Sequence, residues 1–168
     1  VTCNTERMQE RILSFFPGKP CAVIPDPYEG IPGAPRFSPS EPLHLGWFGH
    51  HSNYVSLDVI MEQLIGFSKT RPVKLSILTL PHHLVMEHIG NWRQRRSDNF
   101  AIAFEEWTLA RQWKFLREVD MVIIPSIDKG KKDVKSPNRL VETLRAGTMA
   151  VVQPIPSYVP FRDWAYVG

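Results

Sequence analysis

Lys135-Ser136-Pro137-Asn138-Arg139-Leu140-Val141-Glu142-Thr143-Leu144-Arg145-Ala146-Gly147 reads as a loop feeding a helix N-terminus, followed by the apolar strand Met149-Ala150-Val151-Val152. Pro137 and Asn138 suit the last positions before a helix, Leu140, Val141 and Leu144 supply its buried stripe, and Gly147 ends it. Upstream, Asp120-Met121-Val122-Ile123-Ile124-Pro125 has the make-up of a short buried strand. Loop 126–137 therefore joins the C-terminal end of a strand to a helix, which is where open α/β folds take their ligands. The first N–H groups of that helix lack internal partners, and its dipole favours an anion. A basic residue on the first turn is unfavourable by itself, so Arg139 calls for an anionic ligand.

Working outward from this stretch, strands are expected at 43–49, 73–79, 100–104, 120–125 and 149–153, and helices at 54–68, 83–91, 107–118, 138–146 and, briefly, 159–164. Short apolar strands separated by helical crossovers imply a Rossmann-like parallel sheet with helices on both faces. Residues 1–26 form a smaller α/β unit, with a helix at 5–16 and a strand at Cys21-Ala22-Val23-Ile24. Between the two, prolines recur at 25, 27, 32, 35, 39 and 42, with glycines at 30 and 33. Such a stretch cannot be regular structure and is read as a linker making few contacts with the main sheet. The alternative is an N-terminal arm that hugs the surface of one domain.

A chain of 168 residues is enough for one full core with part of another unit attached. With 43% hydrophobic and 22% charged residues it is a globular chain, not a disordered one. The formal charge of +3 permits an anionic ligand, but the basic residues are scattered and give no nucleic-acid stripe. The two cysteines, Cys3 and Cys21, provide neither a disulfide framework nor a paired-cysteine metal motif, so a reducing, cytoplasmic setting is the expectation. No apolar run approaches membrane-spanning length, which leaves peripheral contact as the expected form of any membrane association. The abrupt ends at Val1 and Gly168 suggest a fragment.

Several side chains invite chemistry. Gly46 and Gly49 bracket Trp47-Phe48 at the end of the first main strand, and His50-His51-Ser52-Asn53 follow before a helix. Glycine there lets a ligand approach the backbone, and Ser52 or Asn53 can cap the helix; a plain capped turn is the competing reading. The G-x-x-G spacing is not the dinucleotide fingerprint, which disfavours a nicotinamide cofactor. His50-His51 and His82-His83 lack a carboxylate or cysteine at ligand spacing, so no metal is expected. Trp92-Arg93-Gln94-Arg95-Arg96 is read as a solvated segment between helix and strand, with a polyanion site as the alternative. Trp113, three residues from Leu116, is read as core.

The order of these motifs resembles the donor-binding half of GT-B-fold glycosyltransferases, in particular the large retaining group that uses nucleotide sugars. The resemblance rests on Leu45-Gly46-Trp47-Phe48-Gly49 with the helix to Phe67, on Glu106-Trp107 to Asp120, and on the Pro-x-Arg-Leu-x-Glu pattern from Pro137 to Glu142; it covers about residues 43–165. It implies that 1–26 is the tail of a preceding α/β domain, 27–42 the interdomain linker and 43–168 a donor-binding domain truncated at its C-terminus. The expected donor contacts are Gly49, His50, Ser52, Asn53, Lys135, Ser136, Asn138, Arg139, Leu140 and Glu142. Glu142 takes the ribose hydroxyls, and Glu105 and Trp107, or Glu106, line a base pocket. The bland reading of Glu142 is a carboxylate favoured by the helix dipole. The family's other glutamate, eight positions earlier, is replaced by Val134 beside Asp133, which leaves the sugar-hydroxyl contact open.

The activity implied is transfer of a hexose from a nucleoside-diphosphate sugar to a glycan or lipid-linked acceptor in polysaccharide biosynthesis, with no cofactor, no metal, no nucleic acid and no assigned catalytic residue. Inactivity is expected of this portion alone. The rival readings are a non-catalytic nucleotide- or partner-binding module and a nucleotide-sugar epimerase of related architecture.

Overall fold

The computed structural model describes residues 1–127 and 134–168. The centre of the expected binding loop, including Asp133, therefore lies outside the described residues. The N-terminal unit consists of β1 (Thr2–Cys3), α1 (Glu6–Phe15) and β2 (Ala22–Val23), with β1 and β2 pairing in parallel. Helix α1 starts where the Thr5 hydroxyl accepts a hydrogen bond from the Met8 N–H at 3.1 Å, which satisfies one of the orphan donors of the first turn. This pair of strands stays separate from the main sheet.

The main sheet is built from β3 (Leu43–Phe48), β4 (Val73–Thr79), β5 (Phe100–Glu106), β6 (Met121–Ile124), β7 (Met149–Val152) and β8 (Tyr166–Val167), in the order β5-β4-β3-β6-β7-β8, all parallel. The intervening helices are α2 (Val55–Ser68), α3 (His83–Arg95), α4 (Leu109–Glu118) and α5 (Asn138–Arg145). The sheet has a core on each face, as the period-two alternation of the strands requires. Leu43, Leu45 and Trp47 of β3 pack with Leu57 and Met61 of α2 and with Val85, Ile89 and Trp92 of α3. Phe48 packs on the other side with Phe115 and Leu116 of α4 and Leu140 of α5. Gly46 also faces that side, where an added Cβ would come within 2.9 Å of the Phe115 ring. Gly46 therefore serves close helix–sheet packing and not ligand approach.

Three expectations are corrected. Helix α3 runs on to Arg95, because Trp92 continues the stripe of Val85 and Ile89 and its indole N–H donates to Asp58 at 2.9 Å. Arg93 donates to the Ile102 carbonyl at 2.8 Å and Arg95 pairs with Glu62, so the basic cluster is the partnered end of a helix. Residues 159–164 contain only a 3-10 turn, Val159–Phe161, which leads into the unforeseen edge strand β8.

The proline-rich stretch, expected to make few contacts, is instead fastened to the main sheet's helices. The Arg36 guanidinium donates to the carbonyls of Leu116 and Val119 at 2.9 and 3.0 Å and to the Thr148 hydroxyl at 2.6 Å. The Gly33 N–H donates to the Arg145 carbonyl at 2.7 Å and the Arg36 N–H to the Gly147 carbonyl at 3.0 Å, so this segment satisfies carbonyls that the end of α5 leaves open. An added Cβ on Gly33 would lie 2.3 Å from the Ala146 oxygen, and one on Gly147 would lie 2.1 Å from the Ala34 oxygen. Two glycines thus allow the crossing, and Gly147 also adopts φ +77°, the left-handed cap conformation. At the end of the stretch, Asp120 accepts from the Ser40 N–H at 3.0 Å and the His44 N–H at 2.8 Å.

Candidate functional site

The chain passes from β3 outward through β4 to β5, then returns to place β6 on the other side of β3. The point of reversal, between β3 and β6, is where an open parallel sheet leaves a crevice at its C-terminal edge. A cavity of about 320 Å³ lies there, lined by Phe48, Gly49, His50, Leu80, Trp107, Gln112, Arg139 and Glu142. These side chains come from the ends of β3, β4 and β5 and from α4 and α5, so the sheet topology itself brings them together. A larger apolar cavity of about 470 Å³ lies at the opposite ends of the strands, beside Phe37, Leu144 and Trp164. It has no convergence of strand C-termini and helix N-termini.

Arg139 sits in the first turn of α5 and donates to the Phe48 carbonyl at 3.2 Å, which holds its guanidinium across the end of β3. An added Cβ on Gly49 would lie 3.2 Å from the Arg139 guanidinium, so the glycine keeps that space clear. Helix α5 has Pro137 at its N-cap, no capping side chain and no acidic residue in its first turn. Partial burial of its ammonium lowers the Lys135 pKa, and the nearby Arg139 charge lowers it further. Two cations at an uncapped helix N-terminus repel each other and oppose the dipole; a bound anion relieves both. Asn138 is the first residue of α5, and its side-chain oxygen is buried without a hydrogen-bond partner among the described residues.

Glu142 lies one turn after Arg139 and accepts from the Gln112 amide at 3.1 Å. Burial pushes its carboxyl pKa up, with the Glu29 charge acting in the same direction, while the Gln112 hydrogen bond and Arg139 oppose the rise. Gln112, almost fully buried at 6% exposure, also accepts from the Trp107 indole N–H at 2.8 Å. Sequence reasoning missed Gln112, Phe48 and Leu80. The signal for Gln112 was its spacing of five from Trp107 and three from Phe115, which puts a polar residue on the buried side of α4.

The other expected residues are placed as follows. Gly49, His50, Arg139, Glu142 and Trp107 line the cavity; Leu140 is buried in the core behind it. Glu105 is turned away into a salt bridge with Arg111, which also binds Glu118. Ser52 and Asn53 form a 3-10 turn with His51, and the His50 ring caps this turn by accepting from the Ser52 N–H at 3.3 Å; α2 itself follows from Tyr54 with no side-chain cap, in place of the expected Ser or Asn cap. Ser136 is half-buried in the approach to α5. Val134, in place of the expected glutamate, presents its carbonyl to the Thr5 hydroxyl at 2.8 Å and so ties the N-terminal unit to the binding loop.

The four histidines form a row, with ring centroids 4.0 Å apart for His50 and His51, 4.6 Å for His51 and His82, and 4.5 Å for His82 and His83. His51 and His82 are stacked within 4° of parallel. Ring lone pairs lie in the ring plane, so two face-to-face imidazoles do not aim at one shared ion.

This architecture, an α/β Rossmann-like parallel sheet, is similar to one half of a GT-B fold. Among the solved structures it resembles are two of TarM. The chain matches one TarM crystal structure with a TM-score of 0.71 at 16% identity, over 100% of this chain and 33% of that one. It matches a point mutant of S. aureus TarM, in complex with Fondaparinux, alpha-GlcNAc-glycerol and UDP, with a TM-score of 0.70 at 15% identity, over 99% of this chain and 33% of that one. The chain thus spans about a third of the length of these proteins. No protein-family profile matches the sequence, and no curated protein sequence matches it. Among the described residues no helix is long and apolar enough to cross a membrane.

Proposed function

We propose that this chain is the nucleotide-sugar-binding portion of a glycosyltransferase, the C-terminal half of a GT-B enzyme that moves a sugar from a nucleoside diphosphate to a glycan or lipid-linked acceptor with retention. The observation that carries the reading is the meeting, in one cavity at the sheet's switch point, of Arg139 at an uncapped helix N-terminus and Glu142 one turn on. The first matches a diphosphate, since backbone N–H groups and a guanidinium give charge-assisted bonds to phosphate oxygens. The second matches a vicinal diol, since a carboxylate accepts two hydroxyl hydrogens at once. Trp107 closes the third side with an aromatic wall for a base.

The chemistry of such a site is electrostatic. As the sugar leaves, charge builds on the diphosphate, and Arg139, Lys135 and the α5 dipole face that charge without reorganising. The UDP in the complex of the similar TarM mutant supports a nucleotide as ligand. Val134 keeps one competing reading in play, a non-catalytic nucleotide-binding module, because the residue expected to grip the donor sugar has no polar side chain.

Calorimetric titration of UDP, GDP and ADP, each beside its bare nucleoside, tests the assignment. Arg139→Ala weakens the diphosphate by about 1.5 to 3 kcal/mol and leaves the nucleoside nearly unchanged, on the scale of hydrogen bonds to charged groups. Glu142→Ala weakens both alike. Unchanged diphosphate affinity in a folded Arg139→Ala protein removes the phosphate role. Product analysis with the corresponding nucleotide sugars separates transfer from binding alone.

A further inference from the structure

We propose that Gln112 is a positioning residue that gives the site its preference for a ribose diol, by locking the direction from which Glu142 accepts hydrogen bonds; this rests on the reading of Glu142 as the diol acceptor. An indole N–H only donates, so the Gln112 group within 2.8 Å of the Trp107 nitrogen is the amide oxygen. The amide's NH2 is thereby turned toward Glu142, where it donates to one carboxylate oxygen at 3.1 Å. A lone carboxylate rotates about its last torsion and flips freely between two broad orientations. Here one oxygen is engaged by a side chain that is itself 6% exposed and fixed at its other end. Glu142 lines the cavity together with Gly49 and Arg139, so its remaining acceptor sites are open to a ligand bound there.

The local sequence builds this relay. Thr108 caps α4 by accepting from the Arg111 N–H at 3.1 Å, which sets the helix start at Leu109, two residues after Trp107. Gln112 then falls on the first buried turn, with its backbone N–H on the Thr108 carbonyl at 2.9 Å. The Trp107 backbone is anchored to β4 through the Thr79 carbonyl at 3.0 Å. The Trp107 end of the relay is therefore fixed to the sheet, and the buried amide carries that constraint to Glu142 on α5. A carboxylate held in one rotamer distinguishes two adjacent hydroxyls from one; a swivelling carboxylate satisfies either nearly as well.

The test measures affinities of UDP, GDP and ADP, each against its 2′-deoxy counterpart, for the 168-residue chain. Wild type is expected to prefer the ribonucleotide by about tenfold or more, the scale set by one hydrogen bond to a charged group. Gln112→Met keeps the side chain's length and removes the amide; the preference should fall to within about twofold, through loss of ribonucleotide affinity with little change for the deoxynucleotide. Trp107→Phe leaves Gln112 in place but frees its amide, and should lower the preference partway; it carries the test if Gln112→Met does not fold. In both variants the loss of binding on acidification should begin at a higher pH, because the amide that helps hold the Glu142 carboxyl down is gone or loosened.

An equal drop for both sugars, with the ratio kept, marks Gln112 as merely structural and overturns the proposal while the diol reading of Glu142 stands. A wild-type protein with no ribose preference, or with no affinity for any of the three diphosphates, overturns that reading and the proposal with it.

Discussion

Arg36→Ala should loosen the proline-rich segment from the C-terminal end of α4 and from Thr148, and the size of the effect follows from the bonds in view. One guanidinium nitrogen serves the Leu116 and Val119 carbonyls and the Thr148 hydroxyl, at 2.9, 3.0 and 2.6 Å. That nitrogen has two hydrogens, so at most two full charge-assisted bonds are lost. The Thr148 hydroxyl also donates to the Leu116 carbonyl, which keeps a partner after the substitution; the Val119 carbonyl loses the one described here. At about 1.5 to 3 kcal/mol per bond to a charged group, and with the non-additivity of shared donors, the expected loss is about 2 to 4 kcal/mol. Equilibrium urea unfolding measures it. Arg36→Met, which keeps the apolar stem, should lose nearly as much, and Arg36→Lys should recover part, because an ammonium replaces the charge but not the planar fork. A loss under about 1 kcal/mol for Arg36→Ala would refute the view that this segment is an integral brace.

Other perturbations probe separate joints. Gly147→Ala forces a left-handed residue and a Cβ against the Ala34 oxygen; it should cost more than the ~1–2 kcal/mol of the backbone conformation alone, read from thermal unfolding. Glu142 has a folded pKa raised by burial, so its contribution to stability is present below the unfolded carboxyl value of ~4.3 and is lost as pH rises through the folded value. Glu142→Gln should therefore raise the melting temperature at pH 7, with the gain vanishing near pH 4, while diphosphate affinity falls. Asp120 shows the opposite sign: burial raises its carboxyl, but the hydrogen bonds from Ser40 and His44 outweigh it and lower the pKa, so its contribution is present above the unfolded value of ~3.9 and is lost as pH falls further. Asp120→Asn should flatten the acid limb of a stability-against-pH curve.

Periodicity made the α/β alternation legible, because strands such as Val73–Thr79 are buried on both faces and read as continuous apolar runs. The site helix was legible for the same reason, with Leu140 and Val141 marking its buried stripe and Arg139 standing where the dipole disfavours it. What escaped was structure held by polar groups at long range. Nothing in the local sequence of Arg36 says that its guanidinium reaches Val119, and β8 is two residues whose only signal is pairing with Val151 and Val152. Gln112 escaped because a glutamine on an amphipathic helix reads as solvated face; only the fold reveals Trp107 on one side of it and Glu142 on the other.

The most direct test of the nucleotide-site assignment is a crystal structure of this chain with a bound nucleoside diphosphate. The phosphates are expected within hydrogen-bond distance of the Arg139 guanidinium and the first N–H groups of α5, the ribose hydroxyls on Glu142 and the base toward Trp107. A nucleotide seated instead beside Phe37, Leu144 and Trp164, at the other ends of the strands and out of reach of Arg139, would contradict the assignment.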